Sequence, residues 1–381
     1  MLTTRTPHRG LQLFPLTLTT DGRLARSVEL ERLARAAEGA TDCFLFCHGW
    51  LYDEAEARQE AGRFFALLET VLAPLGDRIA PLRVGLHWPS KPFADPDPSP
   101  GATEQGLWPE LERRARGPKR GGRSPLAGLL LDLCRAEVPA SPEEEAELGL
   151  LLRRLTTPEP PRGALPISPL HALSFWMMKR RAGEVGERLG RERLAPLWSA
   201  CSRPPRLHLV GHSFGAKLVT SAVLGGAPAE SLTLLLGAFS AFAFAPKIPR
   251  FARPGLYGRL LAERRVRGPI VVLRSDHDAA LATFYRALTE PVATSALGAV
   301  GARGVGAPEL DLFDVQQTGI PEYPIVNVDG SRVVRARDPL LGAHRDIFHR
   351  EVAALVAMAA GLIVGGPEGA RPLPIDPLLE R

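Results

Sequence analysis

A serine between small residues stands where an apolar segment gives way to a segment with helical periodicity. Residues Gly211–Gly215 read Gly-His-Ser-Phe-Gly, after the apolar run Leu207–Val210 and at the start of the periodic run Phe214–Leu224. A strand that reverses sharply into a helix needs small residues beside its apex, and the Ser213 hydroxyl then stands above the sheet. Such a hydroxyl can act as a nucleophile, and the N-terminus of the helix favours developing negative charge. The alternative interpretation is a tight structural turn that contains serine by chance.

The succession of strand, Gly-His-Ser-Phe-Gly and helix resembles the nucleophile elbow of the α/β-hydrolase superfamily. The elbow, Thr41–Trp50 and Phe175–Gly186 are together similar to a group of uncharacterised bacterial α/β hydrolases. Apart from two insertions, the resemblance covers most of Thr41–Ile363. It implies a serine hydrolase in which nucleophile, acid and histidine follow in that chain order, with an oxyanion-binding loop earlier in the chain. These motifs are specific for the superfamily and not for a substrate.

Two aspartates compete for the role of the acid. The strand predicted over Pro269–Leu273 ends in a loop that contains Asp276 and Asp278. In the superfamily the acid often stands three residues past a small residue that ends the strand. Ser275 and Asp278 fit this spacing, and a helix is predicted over Ala279–Leu288. The resemblance therefore favours Asp278, and Asp276 is then a capping or surface residue.

The histidine is expected last, on a loop before the final helix. Of nine histidines, two lie beyond the candidate acids, His344 and His349. His344 follows the loop signal Leu341–Ala343, and Asp346 suits the first turn of a helix that ends near Ile363. His349 is predicted to fall inside that helix, where a surface or packing role is expected. His344 is therefore the candidate general base.

The loop Phe46–Trp50 closes another predicted strand and precedes a helix that Asp53 can cap. A His-Gly pair after such a strand is similar to the oxyanion-hole loop of lipases and esterases. The resemblance implies that the backbone N–H groups of Trp50 and Phe214 bind the oxyanion. The residues expected to support the site are His48, Gly49, Gly211 and Gly215. The alternative is that Trp50 anchors the core and that His48 is structural, and no proton transfer is assigned to His48.

No metal site is expected. Cys43, Cys47 and His48 come from one predicted strand, which splays their side chains, and no second ligand pair is present. The cluster Asp276–Asp278 also lacks further ligands nearby. The four cysteines give no disulfide framework that can be read from the sequence.

The elements that must position these residues alternate along the chain. Short apolar runs indicate strands that are covered on both faces, and helical periodicity lies between them. This alternation predicts an α/β fold with a mostly parallel central sheet and helices on both faces. The predicted strands are Cys43–Cys47, Arg83–Trp88, Leu207–Val210, Leu232–Leu236 and Ile270–Leu273. The predicted helices are Glu54–Leu72, His171–Trp198, broken or continuous near Gly183–Gly190, and Phe214–Leu224.

No linker separates two independent cores, so residues 1–381 are interpreted as one domain with insertions. Residues 90–168 hold Pro clusters and two helix candidates, Leu126–Ala136 and Pro142–Leu155, and are predicted to form a helical cap or lid. The cap is expected to cover Ser213, because ligands bind beyond the carboxyl ends of parallel strands. The alternative is that its apolar residues only pack against the domain. A minor insertion is predicted over 241–268 and a Pro-rich tail over 366–381.

Composition narrows the class of protein. Hydrophobic residues make up 45% and charged residues 23%, which is ordinary for a globular domain. The net charge of +5 is spread along the chain, and the basic run Arg113–Arg123 is interpreted as a solvated loop. No nucleic-acid partner is therefore expected. No secretory signal is visible, and the apolar stretch Val352–Gly366 is too short to span a bilayer. A cytoplasmic protein without a transmembrane segment is the expectation, and its oligomeric state stays open.

The expected activity is hydrolysis of a carboxylic ester, esterase- or lipase-like, by a Ser-His-Asp triad through an acyl-enzyme. The substrate is a small-molecule or lipid-like ester, and no cofactor or metal is needed. An acyltransferase that uses the same triad is the first alternative. A catalytically silent binding protein of the same fold is the second. Acyl length and the choice between hydrolysis and transfer do not follow from the sequence.

Overall fold

The computed structural model describes residues 12–91, 169–248, 254–285, 298–339, 341–364 and 371–372. The predicted cap, 90–168, lies outside the described residues from residue 92 onwards. The predicted tail, 366–381, also lies outside them apart from 371–372. The minor insertion, 241–268, is described except for 249–253 and contains one short helix. The division of the chain into a domain with insertions therefore stays a prediction.

Within the described ranges, eight parallel strands form one central sheet, and a pair of two-residue strands lies apart from it. The strands are β1 Leu13–Thr17, β2 Asp42–Cys47, β3 Pro81–His87, β4 Arg206–His212, β5 Ala229–Leu235, β6 Ile270–Arg274, β7 Glu309–Asp311 and β8 Ile325–Asp329. Their order across the sheet is β1-β3-β2-β4-β5-β6-β8-β7. The separate antiparallel pair is β9 Ile363–Val364 and β10 Arg371–Pro372. The predicted α/β class with a parallel sheet is confirmed.

Helices connect the strands and surround the sheet. They are α1 Ser27–Ala37, α2 Glu54–Leu72, α3 Pro169–Leu189, α4 Ala195–Ala200, α5 Phe214–Leu224, α6 Gly258–Ala262, α7 Val300–Arg303, α8 Leu312–Thr318 and α9 Arg350–Ala359. A 3₁₀ segment, Ala73–Arg78, follows α2, and two π-helical segments occur at Gly190–Leu194 and Ala280–Tyr285. None of the helices in the described ranges is both long and apolar enough to cross a membrane.

The two helices that flank the candidate site form for local reasons. Asp53 accepts a hydrogen bond from the Glu56 N–H, and the Glu56 side chain accepts one from the Asp53 N–H, so a capping box starts α2. Helix α5 is buried from Phe214 to Val223, as its apolar sequence predicts. Both helices begin and end at the residues that the sequence predicts.

The strand order reverses at the centre of the sheet, between β2 and β4. From β2 the chain passes through α2 to β3 on one side, and from β4 it passes through α5 to β5 on the other. Because parallel crossovers are right-handed, α2 and α5 must lie on opposite faces. Helix α2 packs against α9, and α3 packs against α5. The crevice between the carboxyl ends of β2 and β4 is where open α/β sheets bind ligands.

The sequence left open whether the helix over His171–Trp198 is broken near Gly183–Gly190. Helices α3 and α4 are joined through the π-helical segment Gly190–Leu194 without a break. Two other predictions were wrong in detail. The helix predicted over Ala279–Leu288 is the π-helical segment Ala280–Tyr285, and residues 286–297 lie outside the described residues. The last helix starts at Arg350, so His349 is its N-cap and does not lie inside it.

Candidate active site

Ser213 is the apex of the turn between β4 and α5. Its backbone has φ 57° and ψ −121°, a conformation that L-residues rarely adopt and that costs about 1–3 kcal/mol. Neighbouring backbone groups hold the turn in place. The Ser213 N–H donates to the Leu235 carbonyl over 3.0 Å, and the Ser213 carbonyl accepts from the Ala238 N–H over 3.1 Å. The strained position of the serine is therefore fixed by the end of β5 and by the segment that follows it.

The turn at Ser213 and the loop after β2 touch through their backbones. A Cβ on Gly215 would lie 2.3 Å from the Cys47 carbonyl oxygen and 2.4 Å from the His48 carbonyl oxygen. A Cβ on Gly49 would lie 2.9 Å from the Ser213 Cβ. Only glycine fits at these two positions. Gly211, the third glycine predicted to support the site, is packed as closely against the Gly215 carbonyl.

Ser213, His344 and Asp278 form one hydrogen-bonded chain. Ser213 Oγ lies 2.9 Å from His344 Nε2, and His344 Nδ1 lies 2.7 Å from Asp278 Oδ2. A carboxylate only accepts hydrogen bonds, so His344 Nδ1 carries the proton and Nε2 accepts from the Ser213 hydroxyl. The other Asp278 oxygen accepts from the Leu281 N–H over 2.9 Å. The imidazole is thus held in the tautomer that can remove a proton from Ser213.

The acid loop and the histidine loop are joined directly. The Ala343 N–H donates to the His277 carbonyl over 2.8 Å, and the Ala280 N–H donates to the Leu341 carbonyl over 3.2 Å. These bonds place the residues next to Asp278 and His344 in register. Asp278 is fully buried at their junction.

Asp276 and His349 lie elsewhere. The Asp276 side chain is 67% exposed and forms an ion pair with Arg274 at 2.6 Å. His349 pairs with Asp346 at 2.8 Å, and Asp346 also accepts the backbone N–H groups of Arg335 and Ala336. Asp346, predicted in the first turn of the last helix, instead ties the loop after His344 to an earlier loop. Of the competing residues, Asp278 and His344 are the ones linked to Ser213, His344 directly and Asp278 through His344.

The loop that contains Trp50 lies beside Ser213, because Gly49 in this loop packs against the Ser213 Cβ. Phe214 is the first residue of α5, so its N–H has no acceptor inside the helix. The Trp50 ring packs against Phe175 and Phe214, with 6.0 Å between ring centroids in each case. Next to it, the Leu51 N–H donates to the Ser90 carbonyl over 3.3 Å. The ring contacts of Trp50 and the hydrogen bond of the Leu51 N–H therefore hold the loop in place next to the Trp50 peptide.

His48 is a structural residue in this loop. Its Nδ1 lies 2.9 Å from the Gly49 carbonyl oxygen, and its Nε2 lies 3.3 Å from the Trp88 N–H. Burial first, and then the charge of His87, lower the pKa of His48 to about 3. A neutral ring with Nδ1 donating and Nε2 accepting satisfies both contacts. Both ring nitrogens are occupied by backbone groups, so the side chain is not available for proton transfer.

A second Ser-His-Asp chain, which sequence reasoning missed, lies near the amino ends of the strands. Asp42 Oδ1 lies 3.0 Å from His208 Nε2, and His208 Nδ1 lies 2.9 Å from Ser231 Oγ. Arg206 pairs with Asp42 at 2.7 Å. The His208 side chain is 0% exposed, against 12% for His344, so a substrate cannot reach it. Patterns of short strands give no warning of this chain, because it depends on which strands become neighbours.

Burial has opposite consequences for the two partners in this second chain. Burial raises the pKa of Asp42, but the hydrogen bond from His208 and the charge of Arg206 outweigh it, and the net pKa is lowered. Burial lowers the pKa of His208 more than Asp42 raises it. At neutral pH the pair is thus a carboxylate bonded to a neutral imidazole, with Arg206 as the counter-charge.

Buried histidines make acidification destabilising. The pKa values of His48, His208 and His212 all lie below the usual 6.5, mainly because of burial. The unfolded chain therefore binds more protons than the folded chain as the pH falls below 6.5, and the free energy of unfolding must fall. His48 alone accounts for about 2 kcal/mol between pH 7 and pH 5, from linkage with its pKa of about 3. Urea titrations at these two pH values measure the loss.

The control for this pH dependence is His48→Asn, which keeps an N–H donor near the Gly49 carbonyl and removes the titrating group. Its loss between pH 7 and pH 5 should be smaller than that of the wild type by about 2 kcal/mol. Glu60, whose pKa is raised by burial, acts in the opposite direction as a single group. Equal stability at both pH values, or an increase at pH 5, would show that the buried histidines are charged in the fold.

In the part of the chain that the structure describes, no group of three or more His, Cys, Asp or Glu side chains is placed to hold a metal ion. Comparisons with protein-family models, with curated proteins and with solved structures found no match for this chain. The interpretation of the site therefore depends on its geometry: a strained serine, a histidine within hydrogen-bond distance of the serine hydroxyl, and a buried carboxylate behind the histidine.

Proposed function

We propose that this protein is a serine hydrolase of the α/β-hydrolase type that cleaves a carboxylic ester through an acyl-enzyme. The observation that carries the proposal is the 2.9 Å contact between Ser213 Oγ and His344 Nε2 at the carboxyl edge of a parallel sheet. Serine is a weak nucleophile unless a base takes its proton. His344, in the tautomer imposed by Asp278, is placed to be that base.

The reaction proceeds in two acyl transfers. His344 Nε2 takes the Ser213 proton while Oγ forms a bond to the ester carbonyl carbon. The tetrahedral intermediate collapses, the bond to the leaving oxygen breaks, and the imidazolium gives that oxygen its proton. His344 then takes a proton from water while the water oxygen attacks the carbonyl carbon of the acyl-enzyme. The bond to Ser213 Oγ breaks, the imidazolium returns the proton to Oγ, and the acid is released. Asp278 orients the imidazole and stabilises its charged form throughout.

The negative charge on the tetrahedral intermediate needs hydrogen-bond donors. The N–H of Phe214, at the first position of α5, and the N–H of Trp50, in the loop against Ser213, are the proposed donors. The α5 N-terminus also favours this charge. Fixed backbone donors of this kind are each worth about 10²–10³-fold in rate.

An aromatic cluster next to the proposed oxyanion donors supports an apolar acyl group as the proposed substrate feature. Phe175 lies at the centre of an aromatic cluster, with ring centroids 5.1 Å from Phe214, 6.0 Å from Trp50 and 5.6 Å from Tyr285. Two of these rings belong to the residues that flank the proposed oxyanion site. A small-molecule or lipid-like ester is the proposed substrate class, and every chemical step uses groups of this chain and water.

A fluorophosphonate probe tests the proposal on the wild-type protein, because it phosphonylates only serines that a base activates. Labelling is expected at one position, and mass spectrometry of the digested protein should place it in the peptide that contains Ser213. Heat-denatured protein is the control and should not react. An unlabelled native protein, or a label on a peptide without Ser213, would exclude this mechanism. A series of p-nitrophenyl esters then defines the preferred acyl length.

A further inference from the structure

His212, the residue before Ser213, links the strand end to the histidine loop. Its Nε2 lies 2.7 Å from the backbone carbonyl oxygen of His344. A carbonyl only accepts hydrogen bonds, so His212 carries its proton on Nε2 and donates it. The side chain is 2% exposed. A single buried hydrogen bond therefore connects the residue next to the nucleophile with the backbone of the general base.

The ring of His212 has little freedom. It belongs to the last residue of β4, which is paired with β2 on one side and β5 on the other. On one side of the ring, a Cβ on Gly49 would lie 3.4 Å from His212 Nδ1. The rings of His212 and His344 pack with centroids 5.1 Å apart. The donor is thus fixed by the central strand of the sheet.

The acceptor, in contrast, belongs to a loop. His344 lies outside any helix or strand, and its N–H donates only within the loop, to Leu341 over 3.2 Å. The bond from Ala343 to His277 ties the same loop to the acid. Neither bond ties the loop to the turn that carries Ser213. His212 is the side chain that does so through the backbone of His344 itself.

We propose that His212 is a positioning residue: its Nε2–H holds the His344 carbonyl, and so it sets the distance between His344 Nε2 and Ser213 Oγ. This inference rests on the proposed hydrolase function and adds a residue to it. His212 does not exchange protons during the reaction. Burial, and then the charge of His344, keep the pKa of His212 well below its usual value, so the ring stays a neutral donor at every stage.

Two substitutions separate the donor from the shape of the ring. His212→Phe keeps an aromatic ring but has no donor, and His212→Gln places an amide N–H near the position of Nε2. With His212→Phe, kcat on a short p-nitrophenyl ester should fall by about 10²-fold, the cost of a small misplacement of a catalytic group. KM should stay within about two-fold, because His212 does not touch the substrate. His212→Gln should restore most of kcat.

The melting temperature and the pH profile distinguish positioning from simple stabilisation. A structural role would lower kcat and Tm together in both variants, whereas positioning predicts variants of similar Tm that differ in kcat. The pH dependence of kcat/KM in His212→Gln should match that of the wild type. If His212→Phe does not fold, His212→Leu takes its place in the comparison.

Nitrogen-15 NMR of the wild-type imidazoles gives a readout that needs no variant. A neutral His212 with its proton on Nε2 is expected from pH 6 to pH 8, and a proton on Nδ1 or a charged ring would overturn the proposal. Wild-type kcat in His212→Phe, or an equal loss in His212→Gln, would also overturn it while leaving the hydrolase function intact. If the wild type itself neither reacts with fluorophosphonate nor cleaves esters, the hydrolase function fails and the role of His212 falls with it.

Discussion

Replacing Ser213 with alanine should lower kcat for ester hydrolysis by about 10⁶-fold, the loss seen when a triad nucleophile is removed. The hydroxyl is the group that forms the acyl-enzyme, and no other side chain of the site can replace it. Ser213→Ala should also abolish the fluorophosphonate label. The change removes one oxygen and no core volume, so Tm should move little. Initial rates with enzyme at high concentration, measured beside Tm, check both parts.

Ser231→Ala is a matched control for this experiment. Ser231 also donates to a histidine that a buried aspartate holds, but at the other end of the strands. Its loss leaves His208 Nδ1 without a donor, which should cost about 1–3 kcal/mol of stability. It should leave kcat and labelling unchanged. A large loss of activity in Ser231→Ala without unfolding, or residual wild-type activity in Ser213→Ala, would contradict the assignment of the nucleophile.

Asp278→Asn should lower kcat by about 10⁴-fold while the protein stays folded. An amide at this position can donate to His344 Nδ1 and would stabilise the tautomer that carries its proton on Nε2. That tautomer cannot accept the proton of Ser213. The amide oxygen can still accept from the Leu281 N–H, so the loop should keep its shape. Single-turnover kinetics with an activated ester measure the loss in the acylation step.

Asp276→Asn makes the same chemical change two residues earlier, on an exposed side chain that pairs with Arg274. Surface ion pairs contribute about 0–1 kcal/mol, so its stability and kcat should stay close to those of the wild type. Equal losses in the two variants would mean that the loop as a whole, and not the carboxylate on His344, controls the rate. A larger loss in Asp276→Asn would show that the assignment of the acid to Asp278 is wrong.

The sequence identifies the elements whose burial is uniform. Strand β2 and helix α5 are buried along nearly their whole length. An apolar run marks β2, and the Gly-His-Ser-Phe-Gly turn marks the start of α5. Strand β8 was missed because it contains Asn327, a buried side chain that bonds the backbone of Val305 and Ala307 and interrupts the apolar run. Strand β1 was missed because Pro15 argues against a strand; it is tolerated here at the edge of the sheet.

The residues of the candidate site also divide into those that the sequence identifies and those that it does not. Ser213, Asp278 and His344 could be predicted because the resemblance to the α/β hydrolases implies a chain order, and each of them follows a strand or precedes a helix in that order. The contact of His212 with the His344 carbonyl and the chain from Asp42 to Ser231 could not be found. The chain from Asp42 to Ser231 depends on which strands become neighbours and in what register, and the His212 contact depends on where a distant loop lies. A spacing along the sequence contains neither kind of information.

The left-handed backbone at Ser213 also constrains how this position can change over evolutionary time. Glycine reaches this conformation without steric strain, and its entropic cost of about 0.5–1 kcal/mol is smaller than the strain of about 1–3 kcal/mol that another residue carries here. Only a requirement for the serine oxygen opposes the drift to glycine. A lineage that kept this fold for binding alone would gain stability by losing the side chain. Retention of serine at 213 among descendants of this chain would therefore report continued selection for chemistry, independently of any assay.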